Sequence, residues 1–144
     1  MTAWEFLAKT KYDEAIPEAR AAIRLDPKNA DLYVPLAQAL IGKGDLEGSL
    51  VESREALRLN PANALAHIHA AWALLGETKP DAALPELNAI LQVDPKYHLA
   101  RYHLTWYYIQ KKQPDQGIVE ARLALQGDPS HPYYHFMLGW ALES

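Results

Sequence analysis

Six histidines and four tryptophans are the side chains of this 144-residue chain whose types and spacing could do chemistry or recognition. His131 and His135 stand four apart, which places two imidazoles on one helix face, as a metal site would use them. Pro132 lies between them near a helix start and no third ligand accompanies them, while His67 and His69 point to different sides of their helix. The histidines therefore read as polar residues at a groove edge or between structural units, with no metal and no other cofactor expected. Gly42, Gly44 and Gly48 faintly resemble a phosphate cradle, but no strand precedes them and their spacing departs from the dinucleotide fingerprint, so they read as an interhelical turn. No paired carboxylates converge on a nameable pocket, and with no cysteine there is no thiol nucleophile, thiolate site or disulfide. No catalytic residue is expected, and the chain reads as a non-enzyme.

The elements that carry these residues follow from the prolines. Pro27, Pro61, Pro95 and Pro129 recur at intervals of 34, each preceded by Asp26, Asn60, Asp94 or Asp128. A period of that size is the mark of stacked structural repeats. In this register Ala3, Ala37, Ala71, Thr105 and Gly139 share one column, and Ala15, Ser49, Ala83 and Gly117 another, so two points in each unit accept only small side chains. Large apolar residues recur as Phe6, Leu40, Leu74, Tyr108 and Leu142, and as Ile16, Leu50, Leu84 and Ile118. Tyr33, Leu36, Ala37 and Leu40 step with helical spacing, as do Leu46, Ser49, Leu50, Ser53, Ala56 and Leu57 after the break at Gly42-Lys43-Gly44-Asp45. Lys79-Pro80-Asp81 and Gln113-Pro114-Asp115 open the second helices of the next two units, because proline suits the first helical turn. The recurring Asp-Pro or Asn-Pro stops each second helix by pushing the preceding residue toward extended geometry. No strand alternation occurs. The small columns mark where antiparallel helices cross closely, and the large columns fill the space beside them.

This pattern resembles the tetratricopeptide repeat family. Lys11-Tyr12-Asp13-Glu14-Ala15-Ile16, followed by Leu25-Asp26-Pro27-Lys28-Asn29, matches the second helix of that repeat almost residue for residue. The resemblance covers the whole chain and implies an all-α fold, a right-handed α-solenoid of antiparallel helix pairs whose first helices line a concave surface. It divides one domain, residues 1–144, into a partial repeat at 1–29, full repeats at 30–63, 64–97 and 98–131, and the first helix of a further repeat at 132–144. Pro17 and Pro85 inside second helices, and Gly127 where Leu25, Leu59 and Val93 stand elsewhere, depart from the pattern.

Trp4, Trp72, Trp106 and Trp140 occupy one column, with Gln38 in the remaining unit. Ile68, Trp72 and Leu75 form one stripe, repeated as Tyr102, Trp106 and Ile109 and as Phe136 with Trp140, and the resemblance turns this stripe into the groove. Two readings stay open: the indoles pack between neighbouring first helices, or they form a platform for an apolar or aromatic-bearing peptide or helix. The candidate groove thus comprises Trp4, Val34, Gln38, Ile68, Trp72, Leu75, Tyr102, Trp106, Ile109, Phe136 and Trp140. Relatives that clamp acidic chaperone tails carry Lys, Arg and Asn on the inner helices. Here those places hold Val34 with Gln38, Ile68 with Trp72, Tyr102 with Trp106, and Pro35, His69 and His103, so that clamp is absent.

Bulk composition agrees. At 49% apolar residues the chain is no disordered segment, and a net charge of −4 argues against nucleic acid or anionic membrane as partner. The most apolar stretch, Ala62 to Gly76, is interrupted by Asn63, His67 and His69 and falls short of the ~20 residues of a membrane span. The first residues lack a secretory signal, leaving the cytoplasm as default. Glu18, Arg20, Arg24, Glu47, Glu52, Arg54, Glu55, Arg58, Glu120 and Arg122 fall on the outer faces of second helices. The expected partner is a protein or peptide. The chain is expected to be a piece of a longer protein, or to self-associate through its terminal helices, with an accessory role beside a separate catalytic segment as the remaining alternative.

Overall fold

A computed structural model describes the backbone from Ala3 and the side chains from Lys11 to Ser144. Among the described residues every regular element is helical, and the chain forms two compact units, Met1–Ala73 and Leu74–Ser144. In the first unit α1 spans Ala3–Leu25, a 3-10 turn spans Ala30–Leu32, α2 spans Tyr33–Lys43, and α3 spans Leu46–Leu59. Helix α4, Ala64–Gly76, runs across the boundary between the units. The second unit continues with α5 (Pro80–Val93), α6 (His98–Gln110), α7 (Pro114–Gly127) and α8 (Pro132–Glu143).

The helix stops sit where the prolines put them. Helices α1, α3, α5 and α7 end at Leu25, Leu59, Val93 and Gly127, each two residues before its proline. Asn60 and Asp94 then accept a hydrogen bond from the backbone N–H two residues on, Ala62 at 3.2 Å and Lys96 at 3.0 Å, closing an Asx turn. Pro80 and Pro114 open α5 and α7, and both α1 and α5 run on through Pro17 and Pro85. Helix α1 is a single 23-residue helix with no turn before Lys11, where the 34-residue register would place one. The segment aligned with Gly42-Lys43-Gly44-Asp45 is Ala8-Lys9-Thr10-Lys11, which contains neither glycine nor proline and is rich in good helix formers, so nothing there interrupts the helix.

The turn inside each helix pair is one motif used three times. Gly44, Thr78 and Lys112, 34 residues apart, have φ of 86°, 59° and 58°. At each, the N–H of the left-handed residue bonds three residues back, to Ile41, Leu75 or Ile109, and the next N–H bonds five back, to Leu40, Leu74 or Tyr108, at 2.8–3.0 Å. This Schellman arrangement satisfies carbonyls that a helix end leaves open. Glycine suits the first turn, but Thr78 is β-branched, and a left-handed φ costs such a residue about 1–2 kcal/mol. Thr78→Gly is therefore expected to raise the unfolding free energy by about 1 kcal/mol, and urea denaturation that finds no gain would contradict the strain.

The small columns lie at the crossings. In the first unit Ala37 and Ser49 are both fully buried, and the Ser49 hydroxyl donates to the Ala37 carbonyl at 2.8 Å. Tyr33, Val34, Ala56 and Ala66 form the adjoining core, with Ile23, Leu57 and Leu59 packed on it. In the second unit Thr105 is fully buried, and a Cβ on Gly117 would lie 3.5 Å from its carbonyl, 3.6 Å from Tyr108 and 3.7 Å from Ala141. Gly127 also has a cause: a Cβ there would sit 2.7 Å from that of His98, whereas Leu25 and Val93 in the same column are 89% and 86% exposed.

Candidate functional site

The histidines and glycines are accounted for by local structure. Tyr33, His67, Arg101 and His135 form a 34-residue column, and each side chain donates to the carbonyl of the proline six residues back, Pro27, Pro61, Pro95 or Pro129, at 2.7–2.9 Å. His69 and His103 each place Nδ1 2.8 Å from a carbonyl four residues back, Leu65 or Leu99. Burial holds His69 below the usual imidazole range, so it is a neutral donor. His131 stacks on Tyr134 at 3.9 Å, and His98 Nδ1 and the Tyr134 hydroxyl share a hydrogen bond of 2.6 Å. No group of three or more His, Asp or Glu among the described residues could hold a metal ion. Gly48 donates its N–H to Asp45 Oδ1 at 2.8 Å, so an anion of the chain itself caps α3 where a phosphate would have to sit. The proline-binding column is the signal that motif reading missed: its four residues share only length and a polar tip, and a histidine search separates His67 and His135 from Tyr33 and Arg101.

Tyr134 is 2% exposed, and its burial, with Asp128 nearby, pushes its phenol up to about 12. The fold thus favours the neutral phenol. A pKa raised above the ordinary value of about 10 means that this stability is complete below pH ~10 and is lost as the pH climbs toward the folded value. Denaturant midpoints are expected to fall across that alkaline range in the parent chain and to fall less in Tyr134→Phe. An equal decline in both would contradict the assignment.

The tryptophan stripe divides by exposure. The Trp4 side chain lies outside the described residues. In the first unit Val34 and Ile68 are buried, at 8% and 1% exposure, Gln38 is exposed, and Trp72 is 38% exposed with its indole stacked on the His69 ring at 6.4 Å. In the second unit Leu75 is fully buried, Tyr102, Trp106 and Ile109 are half-buried, and Phe136 and Trp140 are 65% and 41% exposed. Tyr102 packs its ring 5.5 Å from Tyr134, and the Phe136 and Trp140 rings lie 6.4 Å apart. With Gly139 and Glu143 these two line a shallow cleft of about 430 Å³. Val34, Ile68 and Leu75 therefore leave the groove for the core: an aliphatic side chain covered by neighbouring helices has no surface left to offer. The longer indole at the same helix face still reaches solvent.

A tetratricopeptide repeat model matches residues 6–51 and 74–140. The chain belongs to the tetratricopeptide repeat family. Its fold class is accordingly the all-α solenoid of helix pairs. Solved structures agree: TTC0263, a thermophilic tetratricopeptide repeat protein of Thermus thermophilus, is similar at 21% identity and TM-score 0.80 over 97% of this chain and 80% of that one. MamA of Desulfovibrio magneticus RS-1, from its residue 41 to its end, is similar at 23% identity and TM-score 0.75 over 98% and 85%. YrrB, described as a tetratricopeptide repeat protein with an unusual peptide-binding site, is similar at 24% identity and TM-score 0.74 over 91% and 68%. No curated protein sequence matches the chain. The tetratricopeptide repeat is a non-enzymatic interaction fold, and membership supports a general role in protein binding. Among the described residues no helix is long and apolar enough to cross a membrane.

Proposed function

We propose that this chain binds an apolar or aromatic-bearing peptide or helix through the tryptophan column of its first helices, on the concave side that the family assigns to them. The repeat frame 30–63, 64–97 and 98–131 within a single domain is part of this reading. The observation that carries it is exposure: Trp72 and Trp140 are 38% and 41% exposed and Phe136 65%, while the aliphatics Ile68 and Leu75 of the same stripe are buried. A tryptophan side chain of ~200 Å² that is two-fifths exposed retains about 80 Å² to bury, roughly 2 kcal/mol per indole. The column carries no Lys or Arg, and the His69 beside Trp72 is neutral, so the surface favours apolar ligands over acidic tails. YrrB's peptide-binding site, on a similar fold, lends the class of ligand. Selection from a displayed random-peptide library is expected to enrich aromatic and aliphatic sequences whose binding shifts the indole emission to the blue. Enrichment of acidic peptides, or binding with no change in emission, would contradict the reading.

A further inference from the structure

Three charges of the first unit face one space without pairing. Arg20 and Arg24 stand one turn apart on α1, both exposed, and form a wall of a cleft of about 310 Å³. Ile23, Tyr33 and Leu36 make its base, and Glu52 of α3 makes its other wall. No hydrogen bond or ion pair joins Arg20, Arg24 or Glu52 to another described residue. Burial pushes the Glu52 carboxyl above its ordinary value, Arg20 opposes that shift, and Glu55 adds to it. Glu55 itself is held by Arg58 at 2.6 Å.

Two 34-residue periods further on, the same columns close this space. Arg101 stands where Tyr33 does and Glu120 where Glu52 does, and Arg101 Nη1 donates to Glu120 at 2.9 Å, with the side chains only 21% and 13% exposed. Helix α5 carries uncharged Asn88 and Gln92 in the columns of Arg20 and Arg24. Tyr33 cannot take over the role of Arg101, because a phenol brings no positive charge and its hydroxyl donates to the Pro27 carbonyl at 2.7 Å. The repeat thus folds with this place closed by an internal ion pair, and the first unit leaves it open with a partly desolvated carboxylate unpaired, which is unfavourable until a counter-charge arrives.

We propose that this cleft binds a free apolar amino acid: its carboxylate bridges the Arg20 and Arg24 guanidiniums, its ammonium pairs with Glu52, and its side chain rests on Ile23. Every charge of the site then meets its opposite, and a guanidinium fork matches a carboxylate in shape. A dianion such as phosphate would face Glu52 as a like charge, so the arrangement favours a zwitterion. Small-molecule sites run from about 300 to 1,000 Å³, and this cleft lies at the low end, which suits a single amino acid. The inference is independent of the peptide reading, since none of the six residues belongs to the tryptophan column.

Amide-resolved NMR titration of the 144-residue chain with L-leucine tests this. Saturable shifts are expected at residues 20–24, 33–36 and 52. Leucine amide lacks the carboxylate and N-acetyl-leucine lacks the ammonium, and each is expected to bind about 10-fold weaker or worse, the loss of one charge-assisted hydrogen bond. Arg20→Asn combined with Arg24→Gln, the residues that α5 carries in these columns, keeps the helical circular dichroism and weakens leucine by at least ~10-fold. Glu52→Gln exchanges the preference, so that N-acetyl-leucine binds at least as well as L-leucine, a result that lost packing alone would not produce. No saturable shift up to ~10 mM L-leucine, equal binding of leucine and its amide, tighter binding of inorganic phosphate, binding that survives the double arginine substitution, or an unchanged preference in Glu52→Gln would each overturn the proposal.

Discussion

Gly117→Leu is expected to lower the unfolding free energy by about 3 kcal/mol, while Gly117→Ala raises it by about 1 kcal/mol. The sign change follows from the crossing of α7 with α6 and α8. A single Cβ on Gly117 meets the Thr105 carbonyl, Tyr108 and Ala141 at 3.5–3.7 Å, ordinary van der Waals contact on three sides. The added methyl of alanine thus fits, and replacing a helical glycine removes chain entropy from the unfolded state. Leucine has three further carbons and no direction left in which to place them, so α7 must move away from its neighbours. Ser49 in the same column tests the generality of the argument, because it fills its crossing and commits its hydroxyl to the Ala37 carbonyl. Equilibrium urea unfolding of the two Gly117 variants measures both signs. Equal destabilisation by alanine and leucine would mean that the glycine is required for its backbone and not for its size.

Trp106→Ala is expected to weaken a selected peptide by about 2 kcal/mol, roughly 30-fold in Kd, as truncation of an aromatic anchor does. Trp106 is half-buried, flanked on α6 by half-buried Tyr102 and Ile109. Part of its surface therefore supports the fold, and part is available to a ligand. A fully buried aromatic costs ~3–5 kcal/mol of stability when cut to alanine, and the half-buried indole should cost clearly less. The two competing readings of the column thus separate on a pair of measurements, affinity and stability, made on one variant.

The helix boundaries were legible because their causes are local. Each proline removes a donor and restrains the residue before it, and the 34-residue recurrence repeats that constraint four times. The small columns were legible for the same reason: Ala37, Ser49 and Thr105 keep their size where bulk would separate helices. The unbroken course of α1 was hidden by the repeat frame itself, since the register carries a turn onto residues that contain no helix breaker. The division of the tryptophan stripe lay further out of reach. Ile68, Trp72 and Leu75 share one helix face, and helical periodicity assigns a face without saying how far a side chain projects beyond its neighbours. Burial of the two aliphatics and exposure of the indole depend on that reach. The proline-binding column was obscured by its chemistry, because phenol, imidazole and guanidinium make the same hydrogen bond from unlike residues.

The central claim, that the tryptophan column is a ligand surface, is tested most directly by titrating one selected peptide into the parent chain and into Trp106→Ala under conditions where both are fully folded. A loss of roughly 30-fold in affinity with a stability change well under 3 kcal/mol is the predicted result. Unchanged affinity accompanied by a stability loss of ~3–5 kcal/mol would contradict it and assign the indoles to the stack.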